Sequence, residues 1–126
     1  ILFIEGHPIL WAGPVKNWID ACERIISMEI EFVVPGHGPV TDSRGVRAVR
    51  DYLVYIDAES RIRFESGLSA IEAARDIDLD LFSTWGDGER IAVNVNSLYR
   101  EYKGEEKREE ITLLFQQMAE LSGFNE

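Results

Sequence analysis

Val33-Val34-Pro35-Gly36-His37-Gly38-Pro39-Val40 is the stretch on which the fold reading turns. It closes an apolar run, Ile30 to Val34, that reads as a strand. Glycine on both sides of His37 removes Cβ bulk and permits positive φ, so backbone or a ligand can approach closely. Pro35 and Pro39 fix φ and withhold a backbone donor, so ladder pairing has to stop there. The expected result is an imidazole at the C-terminal end of a strand, where open α/β sheets place their sites. A metal ligand or a catalytic base has this setting.

His37 alone is not a site. Catalytic zinc takes about three protein ligands and a water, whereas the chain holds two histidines, His7 and His37, and one cysteine, Cys22. None of the patterns H-x-x-x-H, H-x-H or H-E-x-x-H occurs. Either His37 is structural or its partners come from elsewhere. Ile1-Leu2-Phe3-Ile4 reads as a strand already in progress, which implies an upstream portion. It has no charged leader and is too short to span a membrane.

Outward from these two strands, Glu5 to Gly13 is a Gly- and Pro-containing loop with an aromatic at Trp11. Pro14 then opens a helix, where a missing N–H is harmless. Val15, Trp18, Ile19, Cys22, Ile25 and Ile26 share one face of it. Strand, helix, strand predicts parallel neighbours in one sheet. From Thr41 the period becomes helical. Thr41, Asp42 or Ser43 caps a long helix with Val46, Val49, Leu53 and Ile56 inward, ending near Gly67. Ser69-Ala-Ile-Glu72 is a capping box. Asp87 caps a further helix carrying Ile91, Val95, Leu98 and Tyr102 and stopped by Gly104. A last helix carries Ile111, Leu114, Phe115, Met118 and Leu121 and is closed by Gly123. The expected fold class is therefore α/β, with strand–helix–strand over residues 1–42 and a helical extension over 43–126.

The chain has 126 residues, 45% of them hydrophobic, enough for one modest core. Its net charge of -10 argues against nucleic acid or an anionic membrane as partner. One cysteine forms no internal disulfide and gives no sign of an oxidising compartment, so a cytoplasmic setting is expected.

Ile1-Leu-Phe3, Trp11-Ala-Gly-Pro14, Asn17-Trp-Ile19 and Val33 to Val40 together resemble the second half of metallo-β-lactamase-fold hydrolases, nearest the glyoxalase II-like branch. The resemblance implies the C-terminal half of an αββα sandwich. It implies a two-zinc site in which His37 is the last histidine ligand and the other ligands lie upstream of Ile1. Two metals about 3.5–4 Å apart would hold a hydroxide that attacks an ester, thioester, lactone or lactam. Partners implied are a small-molecule substrate, and either a second copy or the missing N-terminal half. These residues alone lack most of the ligands.

Each residue also has a plainer role. His37 is otherwise a turn histidine, and the whole chain a non-enzymatic helical interaction domain. His7, beside Pro8, reads as an exposed loop histidine or a rim contact. Trp11 either shapes a substrate pocket wall or packs on the helix after Pro14. Cys22 reads as a core residue. Arg61, Arg63 and Arg90 either meet an anionic substrate or pair with Glu59, Glu65 and Glu89.

Overall fold

The structure is a computed structural model and describes residues 1–105 and 111–123. Five helices dominate it: α1 (Val15–Ser27), α2 (Ser43–Glu65), α3 (Ala70–Asp76), α4 (Ile91–Lys103) and α5 (Ile111–Leu121). Single 3₁₀ turns at Asp80–Phe82 and Gly88–Arg90 link α3 to α4.

Local signals account for the helix ends. Asp42 caps α2 by accepting from the Arg44 amide at 2.9 Å. Ser69 and Glu72 form the reciprocal capping box of α3. Gly104 ends α4 at φ 69, the left-handed geometry that glycine adopts without penalty. One expected cap differs. Asp87 itself sits at φ 60, and the Gly88–Arg90 turn intervenes before α4 begins. Its backbone C=O accepts from Arg90 N–H at 3.0 Å, so Asp87 closes a turn and does not cap the helix.

Helix α2, about 35 Å long at 1.5 Å per residue, buries Val46, Val49, Tyr52, Leu53, Ile56 and Ser60. Helix α4 is covered on most of its circumference, with eight buried residues from Ile91 to Tyr99. Its Val95 and Leu98 side joins the main core with Cys22, Ala73, Leu2, Ile4 and Val33. Its Ala92 and Val93 side meets Leu114 and Met118 of α5. Residues before and after position 42 thus share one core.

The α/β fold class is not what forms. Helix makes up 62% and bridge residues 5% of the structure, and no sheet exists among the described residues. The αββα half-sandwich, and with it the metallo-β-lactamase-fold resemblance, is overturned by this architecture. The two expected strands survive as single-residue pairings. Phe3 bridges His37 in parallel, and Val33 bridges Thr41 antiparallel. The reason lies in the flanking backbone. Glu5 (φ 60) and Glu29 (φ 53) leave the extended region on one side, while Pro35, Gly38 (φ 96) and Pro39 interrupt the other. The two segments therefore meet their neighbours only at single residues. No described helix is long and apolar enough to cross a membrane.

Candidate functional site

The Val33–Val40 turn is pinned to the first segment by two backbone bonds. Ile4 N–H donates to His37 C=O at 2.9 Å, and His37 N–H donates to Leu2 C=O at 3.3 Å. Gly38 is required twice over: its φ is +96, and a Cβ there would lie 2.2 Å from Ile4 O. The His37 imidazole is exposed and lies flat on the Phe3 ring, centroids 4.4 Å apart at 9°. Arg90 stands 5.4 Å from the same Phe3 ring. The ring nitrogens of His37 have no hydrogen-bond partner among the described residues.

No group of three or more His, Cys, Asp or Glu side chains that could hold an ion occurs among the described residues, and His37 stands without a companion ligand. Cys22 is buried in the core, where desolvation raises its thiol pKa and disfavours the ligating thiolate.

Trp11 is half-buried and lines a cavity of about 570 Å³ with Gly13, Pro14, Ser97, Arg100 and Glu101. Its ring meets Phe115 edge-on at 6.2 Å, and the pocket wall mixes polar and apolar side chains, with no nucleophile–base pair among the described residues. The polar groups there have structural duties: Glu101 Oε2 accepts from Val15 N–H at 3.1 Å, and Ser97 donates to Leu10 C=O at 2.6 Å. A second cavity, about 420 Å³, is lined by Asn96, Tyr99 and Lys103 among others. Asn96 Oδ1 and Tyr99 OH are buried without hydrogen-bond partners among the described residues.

His7 is the residue most misplaced by sequence reasoning. Expected in an exposed loop, it is fully buried. Nε2 lies 3.1 Å from Phe82 C=O, an acceptor, so Nε2 carries the proton. Nδ1 then accepts from Tyr52 OH at 3.0 Å. Tyr52 OH accepts in turn from Asn94 Nδ2 at 2.9 Å, and Asn94 also donates to Pro8 C=O and accepts from Leu10 N–H. Trp85 and Phe82 close the cluster around the Tyr52 ring. Burial lowers the His7 pKa below its ordinary value and raises that of Tyr52. Both rings are therefore held neutral. Fully satisfied and closed to solvent, this is a clamp between the first loop, α2 and α4. The pairing of a loop His with a Tyr and an Asn on helix faces 45 and 87 residues away had no local sequence signal.

The arginines are engaged in structural contacts. Arg63 pairs with Glu59 at 2.7 Å and with Asp76 at 2.8 Å. Arg90 donates to His7 C=O at 2.8 Å and lies 3.4 Å from Asp87, not Glu89. Arg61 stacks over Tyr102 at 3.8 Å.

What remains open is an apolar layer. Val33 is 6% exposed, whereas Phe32 is 74% and Val34 79% exposed. Leu2 and Ile4 are likewise buried while Ile1 is exposed. The two segments therefore turn one row of side chains onto the helices and the other outward. Pairing of Val33 with Thr41 sets Val34 opposite Val40, itself exposed, so the outward row continues across the turn. Ile30 and Met28, before it in the chain, are exposed as well.

No protein-family model, no curated protein and no solved structure matches this chain.

Proposed function

We infer that the chain is an interaction module: a helical body whose first and second segments present an apolar layer to another polypeptide. The observation that carries this reading is the alternation at Phe32, Val33 and Val34, where the middle side chain is in the core and its neighbours stand in solvent. Burying Phe32 and Val34 in a partner would stabilise a complex by about 1.5–3 kcal/mol each. His37 in this reading is structural, anchoring the turn through its backbone and its stack on Phe3.

The test is a photo-crosslink in the cells that make the protein. Phe32→p-benzoylphenylalanine should give an adduct with one polypeptide, which, once identified and purified, rebinds the chain stoichiometrically. Val34→Asp should abolish the adduct, and the same probe at Val54, exposed on α2, should give none. Lack of an adduct at position 32, or an equal one at position 54, overturns the reading.

One observation favours a second reading, that the chain is part of a metal-dependent hydrolase of an ester, thioester, lactone or lactam. The exposed His37 imidazole keeps both ring nitrogens unpartnered among the described residues, as a ligand contributed to a shared zinc site would. The remaining ligands would have to come from the docked polypeptide. Equal zinc content in the complexes of wild type and His37→Ala would remove this reading.

A further inference from the structure

The open layer has a backbone side as well as a side-chain side. Val33 directs both its N–H and its C=O to Thr41, at 2.8 and 2.9 Å. In an extended segment the flanking residues direct theirs the opposite way. Accordingly the N–H and C=O groups of Phe32 and Val34 have no hydrogen-bond partner among the described residues. Further along, past the bend at Gly36, His37 bonds Leu2 and Ile4 in parallel register. Phe3 opposite His37 puts Ile1 level with Pro35. The lane beside Phe32 and Val34, on the side away from Thr41, therefore holds no hydrogen-bond partner among the described residues, with donors and acceptors facing into it.

Resting on the interaction-module reading, we propose that the partner enters as an extended strand that adds in this lane beside Phe32–Val34. A helix laid on the same face would cover the side chains yet leave these backbone groups unmade, whereas a strand satisfies both. Its side chains alternate, so one apolar row meets Phe32 and Val34. Its ends carry Lys or Arg, because Glu29 and Glu31, which lead directly into Phe32, stand exposed. The same acidic rim, on a chain of net charge -10, disfavours a second copy as the occupant.

Three peptides test this against the full chain, so folding of a variant is not at issue. The probe is Lys-Val-Thr-Val-Thr-Val-Lys; one control is N-methylated at alternate residues, and the other has Glu at both ends. Amide hydrogen exchange at Phe32 and Val34 and titration of affinity are the readouts. The Lys-ended peptide should slow exchange of both amides and bind about tenfold more tightly than the N-methylated one, as expected for the loss of one net backbone bond. The Glu-ended peptide should bind more weakly at low salt and approach the probe as salt rises. Equal binding of probe and N-methylated peptide overturns strand addition while leaving a docked partner at Phe32 intact. No binding by any of the three also overturns it, and the crosslink at position 32 then decides separately whether the module reading stands. Protection of both amides by self-association, with mass rising with chain concentration, would make a second copy the occupant and overturn the proposal.

Discussion

Nδ1 of His7 accepts a hydrogen bond from the hydroxyl of Tyr52 at 3.0 Å, joining a loop residue to the middle of α2 across 45 positions of sequence. Neither group has access to water. The bond continues to Asn94 on α4, so three elements are tied by one hydroxyl that donates once and accepts once.

Tyr52→Phe keeps the ring and its contacts with Phe82 and Trp85 but deletes that hydroxyl. It leaves His7 Nδ1 without a donor and Asn94 Nδ2 with Pro8 as its remaining acceptor. Leaving such buried groups unpaired costs about 1–3 kcal/mol. Urea unfolding should show that loss as a lower midpoint with an unchanged slope; an unaltered midpoint would mean the network is not closed as described.

The same cluster sets a pH dependence. Burial lowers the His7 pKa below its ordinary 6.5, with the Phe82 bond and the Glu89 charge opposing only in part. Unfolded chains therefore take up a proton near pH 6.5 while the folded chain takes it up only at lower pH. Between those values the unfolded state carries more protons, and stability falls as pH falls. Stability from this residue is complete above pH 6.5 and declines below it, by at most about 1.4 kcal/mol per pH unit. His7→Gln should lower stability overall yet flatten its slope between about pH 6.5 and 5.5, measured by urea unfolding at steps across that window.

The turn offers a backbone prediction. Gly38→Ala forces a side chain into φ +96 and sets its Cβ against Ile4 O. Relief requires the turn to withdraw from the first segment, breaking the Ile4–His37 and His37–Leu2 bonds. A cost of about 1–3 kcal/mol is expected. The His37 ring should also lose its stacked position on Phe3, visible as a change in the upfield ring-current shift of its imidazole protons.

Where the sequence was informative, the information was local. Helix periodicity, the Asp42 cap, the Ser69–Glu72 box and the Gly104 stop each depend on residues within one turn of each other, and each formed. The inward faces of α1 and α2 followed from the same spacing, with Cys22, Val46, Val49, Leu53 and Ile56 buried. The expected strands do not form a sheet because a strand is stabilised by neighbours, and alternation at Ile30 to Val34 reports a capacity to pair, not a partner. Glu29 at φ 53 and Glu5 at φ 60 bound both segments, and nothing in a glutamate's identity announces a left-handed backbone. His7 reads as exposed because it stands in a loop beside Pro8. Its acceptors and donors arrive from residues 52 and 82, which no local window contains. His37 was placed on a glycine-bounded turn, as found, but its isolation from other ligand side chains is a property of the fold alone.

The alternation at residues 32 to 34 yields opposite outcomes for neighbouring substitutions. Phe32→Asp with Val34→Asp changes two side chains that are 74% and 79% in solvent, so unfolding free energy should stay within about 0.5 kcal/mol per site. Val33 is 6% exposed and sits against the core with Leu2, Ile4 and Val46. Val33→Ala should cost about 1.5–2 kcal/mol through two lost methyl equivalents, before any cavity contribution. Docking should respond the other way: the double aspartate loses the partner, while Val33→Ala retains it wherever the chain remains folded. Parallel measurement of unfolding free energy and of partner affinity for the two variants separates the rows. If the double aspartate instead destabilised the isolated chain as much as Val33→Ala does, Phe32 and Val34 would belong to its own core and no outward layer would exist.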